Sequence, residues 1–257
     1  NIAKPFKKSA TLVETNLRYT VVPIAPVILF PGHVLTLNDL DSFSADEWRK
    51  AKAGKLKFLV VPTLAVGEQD VCQALAGVGT EAVVTDVIDL PKGRKGLVVR
   101  GTRRMILREV YKVGNRVIAK ADAANDLPFR RTTKFNATVS ALRNSIADVI
   151  KLNSTYGREV ATILAATDEP DALINLISPH ITISFEERIS LLASFSTLER
   201  MTLILGMLGK EYDLLQVASK IKDAVQNNLK EYQKKIFLHE QIRAIKSELG
   251  EGHENEL

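Results

Sequence analysis

An unbroken run from Glu211 to Leu249, free of Pro and Gly, sets the first limit on what this chain can fold into. Apolar or semi-apolar residues fall at Ile221, Val225, Leu229, Tyr232, Ile236, His239, Ile242, Ile245 and Leu249. Eight steps cover 28 positions, an average of 3.5, which is the period of a coiled-coil seam. At ~1.5 Å per residue such a helix is about 58 Å long, so the sequence predicts that it leaves the body it starts from. Its other positions are mostly Lys, Glu, Gln, Asn and Asp, the solvated face of a helix that buries only a narrow stripe.

Upstream, the periodicity is that of strands. From Arg18 to about Ala123, short β-branched runs alternate with turn residues, which predicts a mostly antiparallel β domain. The expected strands are Tyr19 to Val22, Val34 to Leu37, Lys57 to Val61, Gly79 to Leu90, Gly96 to Arg100, Arg104 to Val113 and Arg116 to Asp122. Gly114-Asn115 suits a two-residue hairpin turn, because Gly accepts the positive φ at its first position. One helix interrupts these strands: Ser44 and Glu47 form a capping box, Phe43 can staple onto Trp48, and Gly54 ends it.

Beyond Asp126 the pattern becomes helical. Val139, Leu142, Ile146 and Val149 keep helical spacing, Asp168 and Pro170 mark a start, and Pro179 marks a stop. Two further capping boxes, Ser184 with Glu187 and Ser196 with Glu199, open helices whose leucines and methionines suit a small bundle. Gly206 and Gly209 are expected to weaken the joint before the long helix, each costing ~1 kcal/mol against Ala. The reading is α+β. Residues 1–17 form a flexible arm, 18–124 a β-rich domain, 125–208 a helical bundle, 209–250 the long helix and 251–257 a polar linker.

With 257 residues and 46% apolar content the chain can bury a sizeable core. Its single cysteine, Cys72, excludes an internal disulfide framework and reads as a small buried hydrophobe in a reducing, cytoplasmic setting. No apolar run approaches the ~18 residues of a membrane span, and the start lacks a signal peptide. The first residue is not Met, and the chain is read as a fragment.

Several of these stretches resemble one family. The segment Leu238, Glu240, Gln241, Ala244, Ile245, Glu248, Leu249, Gly250 and Glu251 is similar to the lead-in to the ATPase module of Lon proteases. Val22-Pro23-Ile24, Leu29-Phe30-Pro31 and Val34-Leu35 resemble the opening of the Lon N-terminal domain, departing from it at Ala25-Pro26, where a charged pair is usual. Val78 to Val84, Leu90 to Gly93, and Val98 to Arg104 look like the family's paired strands and its glycine-arginine turn, and His180 sits at the counterpart of an Ala-His element. The resemblance covers Val21 to Glu251. It implies a PUA-like β pseudo-barrel, then an α-helical bundle ending in the long coiled-coil-like helix, in a parent that is an ATP-dependent, homohexameric serine endopeptidase using ATP and Mg.

The chain itself lacks the chemistry. No Gly-x-x-x-x-Gly-Lys-Ser/Thr loop is present, and Gly206-Met207-Leu208-Gly209-Lys210-Glu211 is two residues short and ends in Glu. The Ser-Lys pair of the family lies downstream of the ATPase, so no catalytic residue is expected here and no cofactor. The four histidines have no metal-ligand spacing, which predicts no metal site. What remains is binding. Leu29, Phe30 and Val34 near the β-domain opening, and Ile236, Phe237 and Leu238 on the long helix, are the candidate surface for unfolded or damaged protein, which exposes apolar segments that a native chain hides. Two alternatives stand beside this. Between Lys92 and Lys120 ten basic residues face one acid, so Arg100, Arg103, Arg104 and Arg108 could track the phosphates of DNA. The long helix could also act as an oligomerisation scaffold through self-association.

Overall fold

The computed structural model describes residues 11–38, 40, 43–64, 70–91, 94–127, 130–153 and 158–248, so the expected linker over 251–257 and the first part of the arm lie outside the described residues. The strands are β1 (Thr11–Ile24), β2 (Val34–Leu37), β3 (Lys57–Pro62), β4 (Val78–Asp89), β5 (Lys95–Val113) and β6 (Arg116–Asn125). The helices are α1 (Ala45–Lys52), α2 (Val71–Ala74), α3 (Thr133–Leu152), α4 (Arg158–Ala166), α5 (Pro170–Ile177), α6 (Phe185–Ala193) and α7 (Thr197–Glu248). By its contacts the chain divides into units 1–209 and 210–257.

In the first unit the sheet runs β2-β5-β4-β3-β1-β6, and β5 also pairs with β6. That second pairing closes five strands into a barrel and leaves β2 as an appended edge. Only β1–β3 is parallel. Closure requires bent strands, and register shifts between Val13 and Leu17, Glu81 and Ala82, Val84 and Asp86, and Leu107 and Glu109 supply the bends. Strand β3 is buried on both faces: Phe58 and Val60 join Leu29, Leu37, Phe43 and Leu97 in one core, while Leu59 and Val61 join Tyr19, Val21, Met105 and Ala119 in another. A short, nearly continuous apolar strand is what that position demands.

Local signals read from the sequence hold where their chemistry is local. Ser44 and Glu47 cap α1 reciprocally, Phe43 lies 6.0 Å from Trp48 between ring centroids, and Gly114 takes φ 60° in the β5–β6 hairpin. Ser184 and Glu187 close a second box. At α7, Ser196 accepts from the Glu199 N–H, but the Glu199 carboxylate accepts from Ser194 instead.

Two expectations are overturned. The loose arm is not loose from Thr11 onward, because Thr11 to Leu17 belongs to β1 and pairs with β6. Its backbone pairs with groups that the end of β6 would otherwise leave unanswered. Gly101 is not a turn. It lies inside continuous β5, where an added Cβ would sit 2.5 Å from the Phe30 carbonyl oxygen, so glycine is there for close approach of a neighbouring segment. Gly206 and Gly209 lie inside α7, which is helical over 52 residues, and the division between the two units falls directly after Gly209. Met201, Ile204, Met207 and Leu208 around them are buried, and that packing outweighs ~1 kcal/mol per glycine.

Candidate functional site

The residues singled out from the sequence separate into buried and exposed sets. Leu29 and Phe30 are each 1% exposed, which removes them from any docking surface. Leu29 packs in the barrel core, and its carbonyl accepts from the buried Thr80 hydroxyl. The Phe30 backbone is pressed against Gly101. Their apolar character is explained by burial in the β domain. Val34, by contrast, stands on β2 at 50% exposure.

In the second unit the apolar side chains are open to solvent. Eleven large apolar residues between Leu214 and Ile245 are 45–64% exposed, among them Ile236, Phe237 and Leu238. Those three are consecutive on a helix, about 100° apart, so they widen the seam into a broad apolar face. A depression beside Ile236, His239 and Ile242 is lined by side chains of this one helix only, which makes it a gap between neighbours on a convex surface and not a binding cavity.

The basic strands look different in three dimensions. Arg104 is 4% exposed and cannot reach a phosphate: its Nη1 lies 2.7 Å from Asp126 and its Nη2 3.1 Å from the side-chain Oδ1 of Asn175. Arg103 donates to Glu81 at 3.1 and 3.2 Å, and Arg108 donates to Asp122 at 2.8 Å. Lys112, Arg116 and Lys120 pair with Asp70, Glu47 and Glu109. Among the four candidates only Arg100 has no ion pair among the described residues, and it is exposed. Five of these six paired cations are thus answered by acids outside the stretch 92–120, and Lys120 by the one acid within it.

Two buried polar clusters had no counterpart in the sequence reading. Glu81, 3% exposed, accepts from Tyr19, Thr102 and Arg103. Burial raises its carboxyl pKa, but the hydrogen bonds from Arg103, Thr102 and Tyr19 outweigh this and hold it below the usual range. Burial and the adjacent Glu81 push the Tyr19 phenol up. The second cluster ties the barrel to the bundle. Fully buried Arg200 on α7 reaches Asp126 at 3.0 Å and Asp171 at 2.6 Å, while Arg104 holds the other oxygen of Asp126. Burial, then the Asp126 charge, push the Asp171 carboxyl up to about 6, against the hydrogen bond from Thr197. His33 and His180, far apart in the chain, meet with ring centroids 6.5 Å apart, and burial followed by the charge of His180 lowers His33. Among the described residues no group of three or more His, Cys, Asp or Glu could hold a metal ion, and no helix is long and apolar enough to cross a membrane.

Comparison with known proteins bears on this arrangement of an intact barrel and an apolar helix. Residues 18–210 match the family described as ATP-dependent protease La (LON) substrate-binding domain. The Lon protease of Chloroflexus aurantiacus is 29% identical over 234 residues, covering 90% of this chain and 28% of that protein. The Lon protease of Escherichia coli K12 is 28% identical over 238 residues, covering 92% of this chain and 30% of that protein. The chain thus spans less than a third of the length of these relatives. Among solved structures, the N-terminal domain of a Mycobacterium avium complex Lon protease aligns with a TM-score of 0.59 at 17% identity, over 75% of this chain and 98% of that one. A Lon N-terminal domain protein from Xanthomonas campestris gives 0.53 at 18% identity, over 74% of this chain and 98% of that one. At these identities the structural likeness speaks to fold.

Proposed function

Because the chain belongs to the family of the ATP-dependent protease La (LON) substrate-binding domain, we propose that it is the non-catalytic region that recognises substrates and supports assembly in an ATP-dependent Lon-type serine protease. In that reading the parent degrades misfolded and regulatory proteins as a homohexamer in the cytoplasm, and ATP, Mg and the peptidase residues belong to segments outside this chain. The observation that carries the binding role is the row of exposed apolar side chains from Leu214 to Ile245. Water-exposed apolar surface on this scale has a favourable complement in the apolar segments of an unfolded chain, and equally in a second copy of the same helix. Val34 adds an exposed apolar position on the barrel. The alternative of a nucleic-acid module has little left to rest on, since Arg103, Arg104 and Arg108 are occupied by carboxylates.

The test is binding of labelled, permanently unfolded casein to the chain across a salt series. Capture through apolar contacts changes little with salt, whereas phosphate binding weakens steeply as counterions are released. Tight, salt-sensitive binding to duplex DNA with no binding to casein would sink the proposal.

A further inference from the structure

Among the described residues one edge of the β sheet is left open: strand β2 pairs there with β5 alone, in the register Val34↔Arg100, Leu35↔Val99, Thr36↔Val98 and Leu37↔Leu97. Just before it, the Gly101 N–H donates to the His33 carbonyl at 2.9 Å. Antiparallel ladders alternate bonded and non-bonded pairs. Since His33 bonds with Gly101, Leu35 and Leu37 face β5 in turn, and Val34 and Thr36 direct their N–H and C=O groups outward. Among the described residues no strand or loop backbone bonds to Val34 or Thr36 from that side, and both residues are exposed.

We infer that this edge takes up an extended polypeptide as an added strand, holding unfolded protein by its backbone. The inference rests on the substrate-binding reading and names how the barrel takes part in it. Residues two apart on a strand repeat at roughly 6.6 Å, the repeat that any extended chain presents, so the match is to backbone and tolerates side-chain variety. That suits a partner defined by its lack of fold. The edge is also held in place before binding. Leu37 is buried, Leu35 packs on the barrel core, and the Gly32 N–H bonds to the Gly101 carbonyl at 2.9 Å. Little ordering is then needed on contact. Arg100 sits directly across from Val34 on the same face, exposed and without an ion pair among the described residues, so an acidic side chain on the added strand is favoured at that end.

A backbone contact can be broken without touching the fold. Thr36→Pro removes one outward N–H that makes no bond to β5, and proline is tolerated at such edge positions. Thr36→Val keeps the N–H. Fluorescence anisotropy with labelled casein, and with a short extended peptide and its backbone N-methylated counterpart, is measured on the full chain alongside hydrogen exchange at the Val34 and Thr36 amides. The wild type and Thr36→Val are expected to bind alike, Thr36→Pro and the N-methylated peptide about fivefold to tenfold weaker, and both amides to exchange more slowly with peptide present. Equal binding by the wild type and both variants with no slowing of exchange overturns the edge while leaving substrate binding intact. No binding of casein or peptide by the wild type overturns the reading beneath it. If Thr36→Pro instead abolishes a dimer, the occupant is a second copy and the inference fails. Should Thr36→Pro not fold, the methylated peptide and the exchange data still decide.

Discussion

Strands β4 to β6 and the part of α7 beyond Lys210 treat their difficult side chains in opposite ways. On the strands the difficulty is charge: Arg103, Arg104, Arg108, Lys112, Arg116 and Lys120 each have a carboxylate partner. On the helix it is apolar surface, and eleven large side chains stay 45–64% exposed. A barrel brings distant segments within 4 Å of one another, so charges can be satisfied across it. A single helix reaches only its own neighbours three and four positions away, and it leaves its seam for something else to cover. The strands therefore speak for stability and the helix for association.

Breaking the barrel side should have the largest effect. Arg200→Leu leaves Asp126 and Asp171 facing each other without their shared cation, and removing one partner of a buried pair costs ~3–5 kcal/mol. We expect about 3 kcal/mol, since the two carboxylates keep 33% and 28% of their surface. Urea unfolding measures it, and a loss below about 1 kcal/mol would mean that the buried cluster is not what joins barrel to bundle.

Next is the seam. Burying an Ile or Leu contributes ~1.5–3 kcal/mol, so a few pairs can offset the ~4–15 kcal/mol cost of association. The chain is expected to self-associate as concentration rises, and Ile236→Asp combined with Ile242→Asp to render it monomeric while the barrel's unfolding midpoint is unchanged. Light scattering over a wide range of concentration checks this. A strictly monomeric wild type would reserve the seam for other partners.

Two glycines sharpen the same contrast at smaller scale. Gly101→Ala forces a Cβ against the Phe30 carbonyl and should destabilise by ~1–3 kcal/mol. Gly206→Ala meets nothing within 4 Å and should stabilise by up to ~1 kcal/mol. Thermal melts of the two variants should move in opposite directions, and movement in the same direction would contradict the close approach at Gly101. The smallest effect is expected for Arg100→Glu on duplex DNA binding. With the neighbouring cations already paired, removing this one should change the salt slope by about one or less. A slope that collapses would revive the strands as a phosphate surface.

Particular residues show where sequence reading succeeds. The Ser44–Glu47 and Ser184–Glu187 boxes and the Gly114-Asn115 turn were legible because each is complete within four residues. Val34–Leu37 was found to the residue, since alternation and flanking turn residues bound it. The first half of β1 was not, because its pairing partner lies at the far end of β6. Phe30 and Leu29 read as a candidate surface by composition alone, and only the barrel could show them as core. The basic stretch misled for a related reason: counting within 92–120 cannot see Glu81, Glu47 or Asp126.

Periodicity, caps and the tight turn are properties of backbone geometry over a few residues, so the sequence alone determined the long helix, its apolar seam, the change from strands to helices near Asp126, and the family resemblance, while the continuity of β5 through Gly101 and the short helix α2 were not legible in it. Which side chains lose their water was decided by tertiary structure. Arg104 meets Asn175 across 71 positions, Arg116 meets Glu47 across 69, and Tyr19 meets Glu81 across 62. A charge becomes structural, or an apolar residue becomes core, only when segments so far apart are brought together, because desolvation depends on everything that surrounds a group in space.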